Sequence, residues 1–424
     1  MNVRIQPGQL NGVVQAIPSK SQAHRALVCA ALADAPTQIN CKGESEDISA
    51  SIDCLTALGA DIRRDTGRFS VIPLNKNVCE GDASLPCGES GSTFRFLLPV
   101  AGALGRSASF LLKGQLPKRP LSPLDDELTA HGCVLSPQGS NPFRITGQLA
   151  PGKYALNAGV SSQFISGLLF ALPLLGEDSE LRLLGKVESF PYIELTMAML
   201  KLFGVHSAFN TEGEVFSIPG GQTYHSPGEV SVEGDWSNAA FWLSAGAIGE
   251  ESVTCAGLDL QSPQGDRAIL DILAQFGSRV ETDANKAAVS GGKLHGIEID
   301  AQNIPDLVPI LAVAATAAEG TTVIRNAGRL RTKESDRLAA VTDVLRGLGA
   351  NVKETEDGLV INGCALTGGN VSSWGDHRIA MSAAIAATVC REPVVIRDAE
   401  AVNKSYPGFF DDMQKLGGSV HIMT

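Results

Sequence analysis

The sequence lacks the features that mark secreted, membrane-spanning and metal-bound proteins. Its nine cysteines are scattered and none forms a CxxC pair, a pattern typical of reduced thiols in a cytoplasmic protein. The longest strongly apolar stretch, 164–175, is shorter than the roughly 20 residues that a membrane-spanning helix needs. The first residues contain no charged and then apolar leader, and the seven histidines do not cluster at metal-ligand spacing. We therefore expect no signal peptide, no membrane contact and no metal site.

Positively charged residues are also fewer than negatively charged residues. The chain has 34 Lys and Arg against 46 Asp and Glu, a formal net charge of −12. A surface of this sign argues against a nucleic-acid-binding protein. An anionic ligand would have to be held by a local cluster of cations. Aromatic residues are only 5%, whereas 44% of the 424 residues are hydrophobic and 45 are glycine. This composition favours two or three closely packed α/β domains.

The chain repeats itself at intervals of about 70 residues. Six helix-like segments, such as "CLTALGADI" and "VLRGLGANV", end in a glycine that precedes a strand-like residue. Glycine is typical of the left-handed position that ends many helices. The six glycines, which are spaced 68 to 73 residues apart, are Gly59, Gly132, Gly204, Gly277, Gly349 and Gly417.

A second series of helix signals runs at nearly the same interval. Nearly all-apolar helices are predicted to begin at Ser and Asp residues, whose side chains are good N-caps. A helix without a polar face is buried on all sides, and alternating segments such as "RFSVIPL" and "EVSVEG" predict strands between the helices. The sequence therefore predicts six repeats, each with one buried and one more exposed helix, most simply divided into two globules of three. The predicted starts are Ser19, Ser90, Ser161, Ser237, Asp306 and Asp376.

Cations and hydroxyl groups recur at these helix starts. The first start contains Lys20, Ser21 and Arg25, although cations usually suit the opposite end of a helix. Helix N-termini attract anions, so one face that collects the starts would bind a ligand with at least two anionic groups. Each cluster taken alone could equally be a cap or a solvated turn. The segment "TKESDRL", with Lys333, Glu334 and Arg337, also suits a salt-bridged surface helix.

A set of motifs in order along the whole chain resembles one known family. These motifs are "PSKSQAHRAL", "GSTFR", "KRP", "GVSSQF", "PYIE", "EGDWSNAAF", "IPD", "RTKESDRL", "GDHRIAM" and "NKSYPGFF". The sequence resembles the 5-enolpyruvylshikimate-3-phosphate synthases, which are enolpyruvyl transferases. The resemblance implies an α/β fold of two domains, each of three repeated α/β units with buried helices in an inside-out α/β barrel. Domain I would comprise 1–18 plus 233–424 and domain II 19–232, with the active site in the cleft between them.

The resemblance also implies a reaction and roles for individual residues. The enolpyruvyl group of phosphoenolpyruvate would pass to the 5-hydroxyl of shikimate 3-phosphate with release of phosphate, without cofactor or metal, in a cytoplasmic monomer whose domains close and which glyphosate inhibits. The implied catalytic residues are Asp306 as proton acceptor, Glu334 as proton donor, and Lys20. Shikimate 3-phosphate would be bound by Lys20, Ser21, Arg25, Ser161, Ser162, Gln163, Ser189, Asp306 and Lys333. Phosphoenolpyruvate would be bound by Lys20, Gly91, Arg95, Arg119, Gln163, Arg337, Arg378 and Lys404.

Three residues depart from the usual family pattern, and two other functions stay open. Glu89 and Arg329 stand where Asn is common, and Phe96 where Pro is common. One alternative is the sister enolpyruvyl transferase that acts on UDP-N-acetylglucosamine. It typically has Cys in the phosphoenolpyruvate loop, which "KGQLPKRPLSP" lacks. The other alternative is an anion-binding homologue without activity.

Overall fold

The computed structural model describes residues 1–75 and 82–423. The chain separates into two compact units, which are described one at a time. The split unit comprises Met1–Ile17 and Glu233–Thr424, and the inserted unit comprises Pro18–Val232. The eight cysteines within the described residues are free thiols, and Cys79 lies outside those residues. Across 1–75 and 82–423, no helix is both long enough and apolar enough to cross a bilayer.

Twelve α-helices and 24 strands are found in the described residues. The split unit begins with β1 (Asn2–Gln6) and β2 (Gly12–Gln15). The inserted unit follows with α1 (Lys20–Ala31), β3 (Thr37–Asn40), α2 (Glu46–Ala57), β4 (Asp61–Asp65), β5 (Arg68–Ile72), β6 (Ala83–Gly88), α3 (Gly91–Ala103), β7 (Ala108–Leu112), α4 (Leu124–Ala130), β8 (Cys133–Leu135), β9 (Phe143–Gly147), β10 (Lys153–Asn157), α5 (Ser162–Ala171), β11 (Ser179–Leu184), α6 (Phe190–Leu202), β12 (Ala208–Asn210), β13 (Val215–Ile218) and β14 (Glu229–Ser231). The split unit resumes with α7 (Trp236–Ile248), β15 (Val253–Ala256), α8 (Ile269–Phe276), β16 (Arg279–Asp283), β17 (Lys286–Ser290), β18 (Glu298–Asp300), α9 (Val308–Thr316), β19 (Thr321–Arg325), α10 (Arg337–Gly347), β20 (Asn351–Glu354), β21 (Leu359–Asn362), β22 (Gly369–Ser372), α11 (His377–Ala387), β23 (Val394–Arg397), α12 (Phe409–Lys415) and β24 (Ser419–Met423).

Six four-stranded sheets share one topology, three in each unit. In every sheet the first two strands are parallel and the remaining neighbours are antiparallel. A parallel pair needs a crossover connection, and in four sheets a buried helix provides it, namely α3, α5, α9 or α11. In the other two sheets, β14 with β3 and β2 with β15 pair strands that are distant in sequence. The six predicted α/β repeats are therefore confirmed. The sheets have the strand orders β14-β3-β5-β4, β6-β7-β9-β8 and β10-β11-β13-β12 in the inserted unit, and β2-β15-β17-β16, β18-β19-β21-β20 and β22-β23-β1-β24 in the split unit.

The first strand of the chain belongs to the last sheet of the split unit. β1 lies between β23 and β24, and Val3 pairs with Ile396 and with Ile422. β2 is parallel to β15, which follows the whole inserted unit in sequence. The segment 1–17 is therefore held in the split unit by two sheets.

The buried helices have the all-apolar environment that their sequences predict. α9 and α11 are buried over their full lengths, and each unit has its own hydrophobic core. The exposed helices end in the predicted glycines, whose φ angles lie between 72° and 109° and which are Gly59, Gly132, Gly204, Gly277, Gly349 and Gly417. In four repeats the residue directly after the second strand is also left-handed. At two of these positions the residue is Asn326 or Asp398, types that tolerate this conformation.

Four of the predicted N-caps are confirmed and two are wrong. The side chains of Ser19, Ser90, Ser161 and Asp376 cap their helices. Ser237 instead lies inside α7, whose cap is Asp235, which accepts the Asn238 N–H at 2.8 Å. Asp306 lies in the 3₁₀ turn Pro305–Leu307, and α9 begins after it without a side-chain cap. The Asp306 carboxylate is instead bound by two guanidinium groups.

Candidate active site

In the split unit, Asp306, Glu334 and Arg378 are joined, directly or through Asp306, to the buried guanidinium of Arg337. This residue opens α10, and its side chain is only 2% exposed. Its Nε donates to Asp376 Oδ2 at 2.8 Å, its Nη1 to Asp306 Oδ1 at 2.9 Å and its Nη2 to Glu334 Oε2 at 2.8 Å. Arg378 donates to the other Asp306 oxygen at 3.0 Å. The interpretation of "TKESDRL" as a salt-bridged surface helix is therefore wrong, because the charged side chain of Arg337 is buried.

The charges of this cluster stabilise one another. Burial raises the pKa of Asp306, but Arg378, Arg337 and Lys333 outweigh it and hold this pKa well below the usual range. Burial likewise raises the pKa of Asp376, and Arg337 and His377 reverse the shift. These carboxylates are therefore ionised at neutral pH.

The loops before two helices position the other cations of the split unit. Lys333 and Glu334 follow the 3₁₀ segment Gly328–Thr332 and precede α10. Lys404 ends the 3₁₀ segment Ala399–Lys404 and is 4% exposed. Lys333 thus adds a positive charge just before the N-terminus of α10, a position that suits an anionic ligand.

In the inserted unit, the start of α1 places Lys20, Ser21 and Arg25 within five residues. Lys20 forms a 2.8 Å ion pair with Asp47 in the first turn of α2. Asp47 was not predicted to be a site residue. The only sequence feature that could have pointed to it is its position two residues after Ser45, the N-cap of α2. The pair keeps the Lys20 ammonium at the N-terminus of its helix.

Arg25 is buried without a carboxylate partner among the described residues. Its Nε donates to Thr196 Oγ1 at 2.8 Å, and its Nη1 and Nη2 donate to the carbonyl oxygens of Ser21 and Tyr192. Burial lowers its pKa to about 10. The Phe96 ring lies 5.1 Å from the guanidinium carbon, a cation–π contact that gives this departure from the family pattern a structural role. A cation held only by neutral groups favours an anion as its missing partner.

Two further guanidinium groups meet at the N-terminus of α3. A Cβ built on Gly91 would lie 2.9 Å from Arg119 Nη1 and 3.2 Å from Arg95 Nη1. Arg95 Nη1 donates to Gln163 Oε1 at 2.8 Å, and Gln163 Nε2 donates to Ser92 Oγ at 2.9 Å. The starts of α3 and α5 are thus joined through Gln163.

The serines of the predicted set occupy the starts of α5 and α6. Ser161 caps α5 by accepting the Gln163 N–H at 3.3 Å, and Ser162 is the first residue of that helix. Ser189 precedes α6 with a left-handed φ of 55°. A non-glycine residue in that conformation is uncommon and often functional.

The other two departures from the family pattern also have specific surroundings. The Glu89 carboxylate occupies the space where Gly114 would carry a side chain, 1.2 Å from a Cβ built there. Arg329 donates to the carbonyl oxygen of Gln302 at 2.8 Å. The Glu89 carboxylate therefore fills the space beside Gly114, and Arg329 connects two loops of the split unit.

In each unit, predicted site residues thus combine helix N-termini with buried cations. Such an arrangement can bind anionic groups and place a carboxylate beside them. Within 1–75 and 82–423, no cluster of His, Cys, Asp and Glu has the composition of a metal site.

Comparisons with known proteins identify the family. The family described as EPSP synthase (3-phosphoshikimate 1-carboxyvinyltransferase) matches residues 5–413. A relative from Clostridium kluyveri, named 3-phosphoshikimate 1-carboxyvinyltransferase, is 45% identical over 99% of this chain and 98% of its own. One of the same name from Clostridium perfringens is 43% identical over 98% of both chains.

Solved structures show the same fold. EPSP synthase from Acinetobacter baumannii matches with a TM-score of 0.83 and 28% identity over 100% of both chains. The enolpyruvyl transferase NikO from Streptomyces tendae matches with a TM-score of 0.81 over 99% of this chain and 98% of its own. At 19% identity, this second likeness shows the fold alone. The predicted enolpyruvyl transferase fold is confirmed, and the chain belongs to the EPSP synthase family.

Proposed function

We propose that this chain transfers the enolpyruvyl group of phosphoenolpyruvate to the 5-hydroxyl of shikimate 3-phosphate and releases phosphate, a step of the shikimate pathway. Membership of the EPSP synthase family supports the reaction. The observation that carries its assignment to residues is the carboxylate of Asp306 held between the guanidinium groups of Arg337 and Arg378. The cluster of Asp306, Arg337 and Arg378 combines a base with cations that suit an anionic substrate.

The reaction needs one proton acceptor and one proton donor. The 5-hydroxyl oxygen adds to C2 of phosphoenolpyruvate and loses its proton, while C3 gains a proton. The tetrahedral intermediate then loses phosphate and a C3 proton, which restores the double bond. In our proposal Asp306 takes the hydroxyl proton and Glu334 supplies the proton to C3.

Because Arg337 and Arg378 bind the Asp306 carboxylate, Asp306 would be a weak base until an anionic substrate binds. Arg337 and Arg378 hold its pKa well below the usual range. A carboxylate or phosphate that binds these guanidinium groups would offset their charge. The pKa of Asp306 would then rise toward the value at which it accepts a proton readily. In this way phosphoenolpyruvate would activate the base that takes the proton of the hydroxyl group attacking it.

The remaining site residues would bind the two substrates without a cofactor. Phosphoenolpyruvate would contact Lys20, Gly91, Arg119, Gln163, Arg337, Arg378 and Lys404, with Arg95 in support. Shikimate 3-phosphate would contact Lys20, Ser21, Arg25, Ser161, Ser162, Gln163, Ser189, Asp306 and Lys333. We further propose that residues of both units serve one reaction, in a cytoplasmic monomer.

Phosphate release tests the function directly. The protein is mixed with phosphoenolpyruvate and either shikimate 3-phosphate or UDP-N-acetylglucosamine, and free phosphate is followed over time. We expect release with shikimate 3-phosphate alone. Release only with UDP-N-acetylglucosamine would favour the sister transferase, and release with neither would favour the non-catalytic homologue.

Gly91→Ala is expected to raise the inhibition constant of glyphosate more than the KM for phosphoenolpyruvate. The added methyl group would lie 2.9 Å from Arg119 Nη1 and would displace the guanidinium groups of this anion site. Glyphosate is the longer molecule, so it should tolerate the smaller space less well. Gly91 has no positive φ, and alanine is therefore compatible with the backbone.

Gly176→Ala is a matched control for this substitution, because nothing lies within 4 Å of its added methyl group. Steady-state inhibition and thermal melting are measured on both variants. Equal increases of the two constants in Gly91→Ala, or a lower Tm with unchanged inhibition, would contradict the steric argument.

A further inference from the structure

Four buried side chains of the inserted unit form a continuous hydrogen-bonded network that the proposed mechanism does not use. In this His24 network, His24 Nδ1 is 2.7 Å from Ser51 Oγ, and the Ser51 hydroxyl is 2.7 Å from the Thr93 hydroxyl. Thr93 Oγ1 is in turn 2.7 Å from the hydroxyl of Ser90. All four residues are 1% exposed. A buried polar network that satisfies its members makes the elements it joins rigid.

The His24 network joins the starts of two helices that belong to the candidate site. His24 lies in α1. Ser90 is the N-cap of α3, and its Oγ accepts the Thr93 N–H at 3.4 Å. Between them lies Ser51 of α2, a helix that contains none of the predicted substrate-binding residues. Since Ser51 contacts both α1 and α3, it fixes the position of one helix start relative to the other.

A second contact between α1 and α2 lies one helical turn away. Lys20 and His24 are four residues apart in α1, and Asp47 and Ser51 are four residues apart in α2. Residues at this spacing are neighbours on one face of a helix. The 2.8 Å ion pair of Lys20 with Asp47 and the hydrogen bond of His24 therefore belong to one contact between the two helices. The Lys20 ammonium is thus positioned by the same helix that binds Thr93.

The next residue of α1, Arg25, joins α1 to a different part of the inserted unit. Its Nε donates to Thr196 Oγ1 at 2.8 Å, and its Nη2 donates to the carbonyl oxygen of Tyr192, both in α6. Ser189, which precedes α6, is proposed to bind shikimate 3-phosphate. The His24 network leads instead to the start of α3, where Gly91 is proposed to bind phosphoenolpyruvate. Separate networks therefore support the residues proposed for the two substrates.

We propose that the His24 network positions the phosphoenolpyruvate subsite, with Ser51 as its central positioning residue. The network holds the N-terminus of α3 and the Lys20 ammonium at the separation at which one anion contacts both. Its four side chains do not touch a substrate in this scheme, and they act through Lys20 and Gly91. The inference rests on the proposed function and adds residues that set the affinity for one of its two substrates.

Thr93→Val tests the proposal, because it removes the hydroxyl group and keeps the size of the side chain. The KM for phosphoenolpyruvate should rise about 3- to 10-fold, a part of the roughly 100-fold that a misplacement of about 1 Å can cost. The KM for shikimate 3-phosphate and kcat should stay near their wild-type values. Thr93→Ser keeps the hydroxyl and should restore the KM for phosphoenolpyruvate. Thr196→Val, which removes an acceptor of Arg25, should instead raise the KM for shikimate 3-phosphate.

Two further measurements separate positioning from a general loss of stability. Thr37→Val removes a buried hydroxyl that is 2.7 Å from the hydroxyl of Ser226 in the same unit, and it should lower the Tm without changing either KM. Ser51→Ala and Thr93→Val remove the same hydrogen bond, so their effects on the Tm should be non-additive in the double variant.

Three results would overturn the proposal: equal increases of both KM values in Thr93→Val, an unchanged KM for phosphoenolpyruvate, or additive changes in Tm. A wild type that releases no phosphate would instead refute the proposed function and this inference with it, while the non-additive Tm values would remain.

Discussion

Asp306→Asn is expected to lower kcat about 10²- to 10⁴-fold, the range typical of a lost general base. The amide keeps the size of the side chain but cannot accept the proton of the substrate hydroxyl. The KM for phosphoenolpyruvate should change little or fall, because Arg337 and Arg378 lose the carboxylate that competes with the substrate. Initial rates of phosphate release over a range of both substrates measure the two constants.

Two controls show whether the loss is chemical. Asp283→Asn removes an exposed carboxylate in β16 of the same unit and should leave kcat unchanged. Glu334→Gln should lower kcat strongly as well if it supplies the proton to C3. A near-normal kcat in Asp306→Asn would mean that another group takes the proton. A loss confined to KM would assign Asp306 to binding alone.

Arg337→Met is expected to destabilise the protein by about 3–5 kcal/mol, as when one partner is removed from a buried ion pair. The guanidinium binds Asp376, Asp306 and Glu334, and its side chain is 2% exposed. Methionine would fill part of the space but would leave three neighbouring carboxylates without this cation. Urea unfolding at neutral pH measures the change in the free energy of unfolding.

The pH dependence of this loss identifies its electrostatic origin. Asp306 and Asp376 have lowered pKa values in the folded protein, so their contribution is present above the ordinary Asp value of 3.8 and is lost as pH falls. The difference between Arg337→Met and wild type should therefore shrink in acid. Arg331→Met is the matched control, since its pairs with Glu354 and Asp336 are about one-third exposed and are expected to contribute about 1 kcal/mol or less. Equal losses in the two variants would contradict the argument from burial.

The repeats were predictable because their signals are local. A glycine that ends a helix acts through its own φ angle, and a Ser or Asp cap acts on a backbone N–H two or three residues away. The N-cap prediction failed at Asp306 because two guanidinium groups bind its carboxylate. These groups lie 31 and 72 residues further along the chain, so a local signal does not show them. Ser237 was displaced as a cap by Asp235, two residues earlier, for the same kind of reason: its hydroxyl binds Asp266.

The site was predictable in its residue types but not in its pairing. The motifs named Lys20, Arg337 and Arg378, yet nothing in them showed that Asp47 binds Lys20 or that Arg337 bridges three carboxylates. Asp266 had no signal, since "QGDR" resembles an ordinary polar turn. The pKa of Asp266 is raised because burial and the charge of Asp306 both act on its carboxyl group.

The position of β1 between β23 and β24 imposes an order on biosynthesis. β1 leaves the ribosome first, but the strands that flank it are made last. At roughly 5–20 residues per second, the nearly 400 residues between them correspond to about 20–80 s of translation. Throughout that interval β1 has neither of its native neighbours, and a strand with unpaired edges can associate with other chains. The inserted unit has all its described strands once β14 is made, so it can fold before β15–β24 of the split unit have been synthesised.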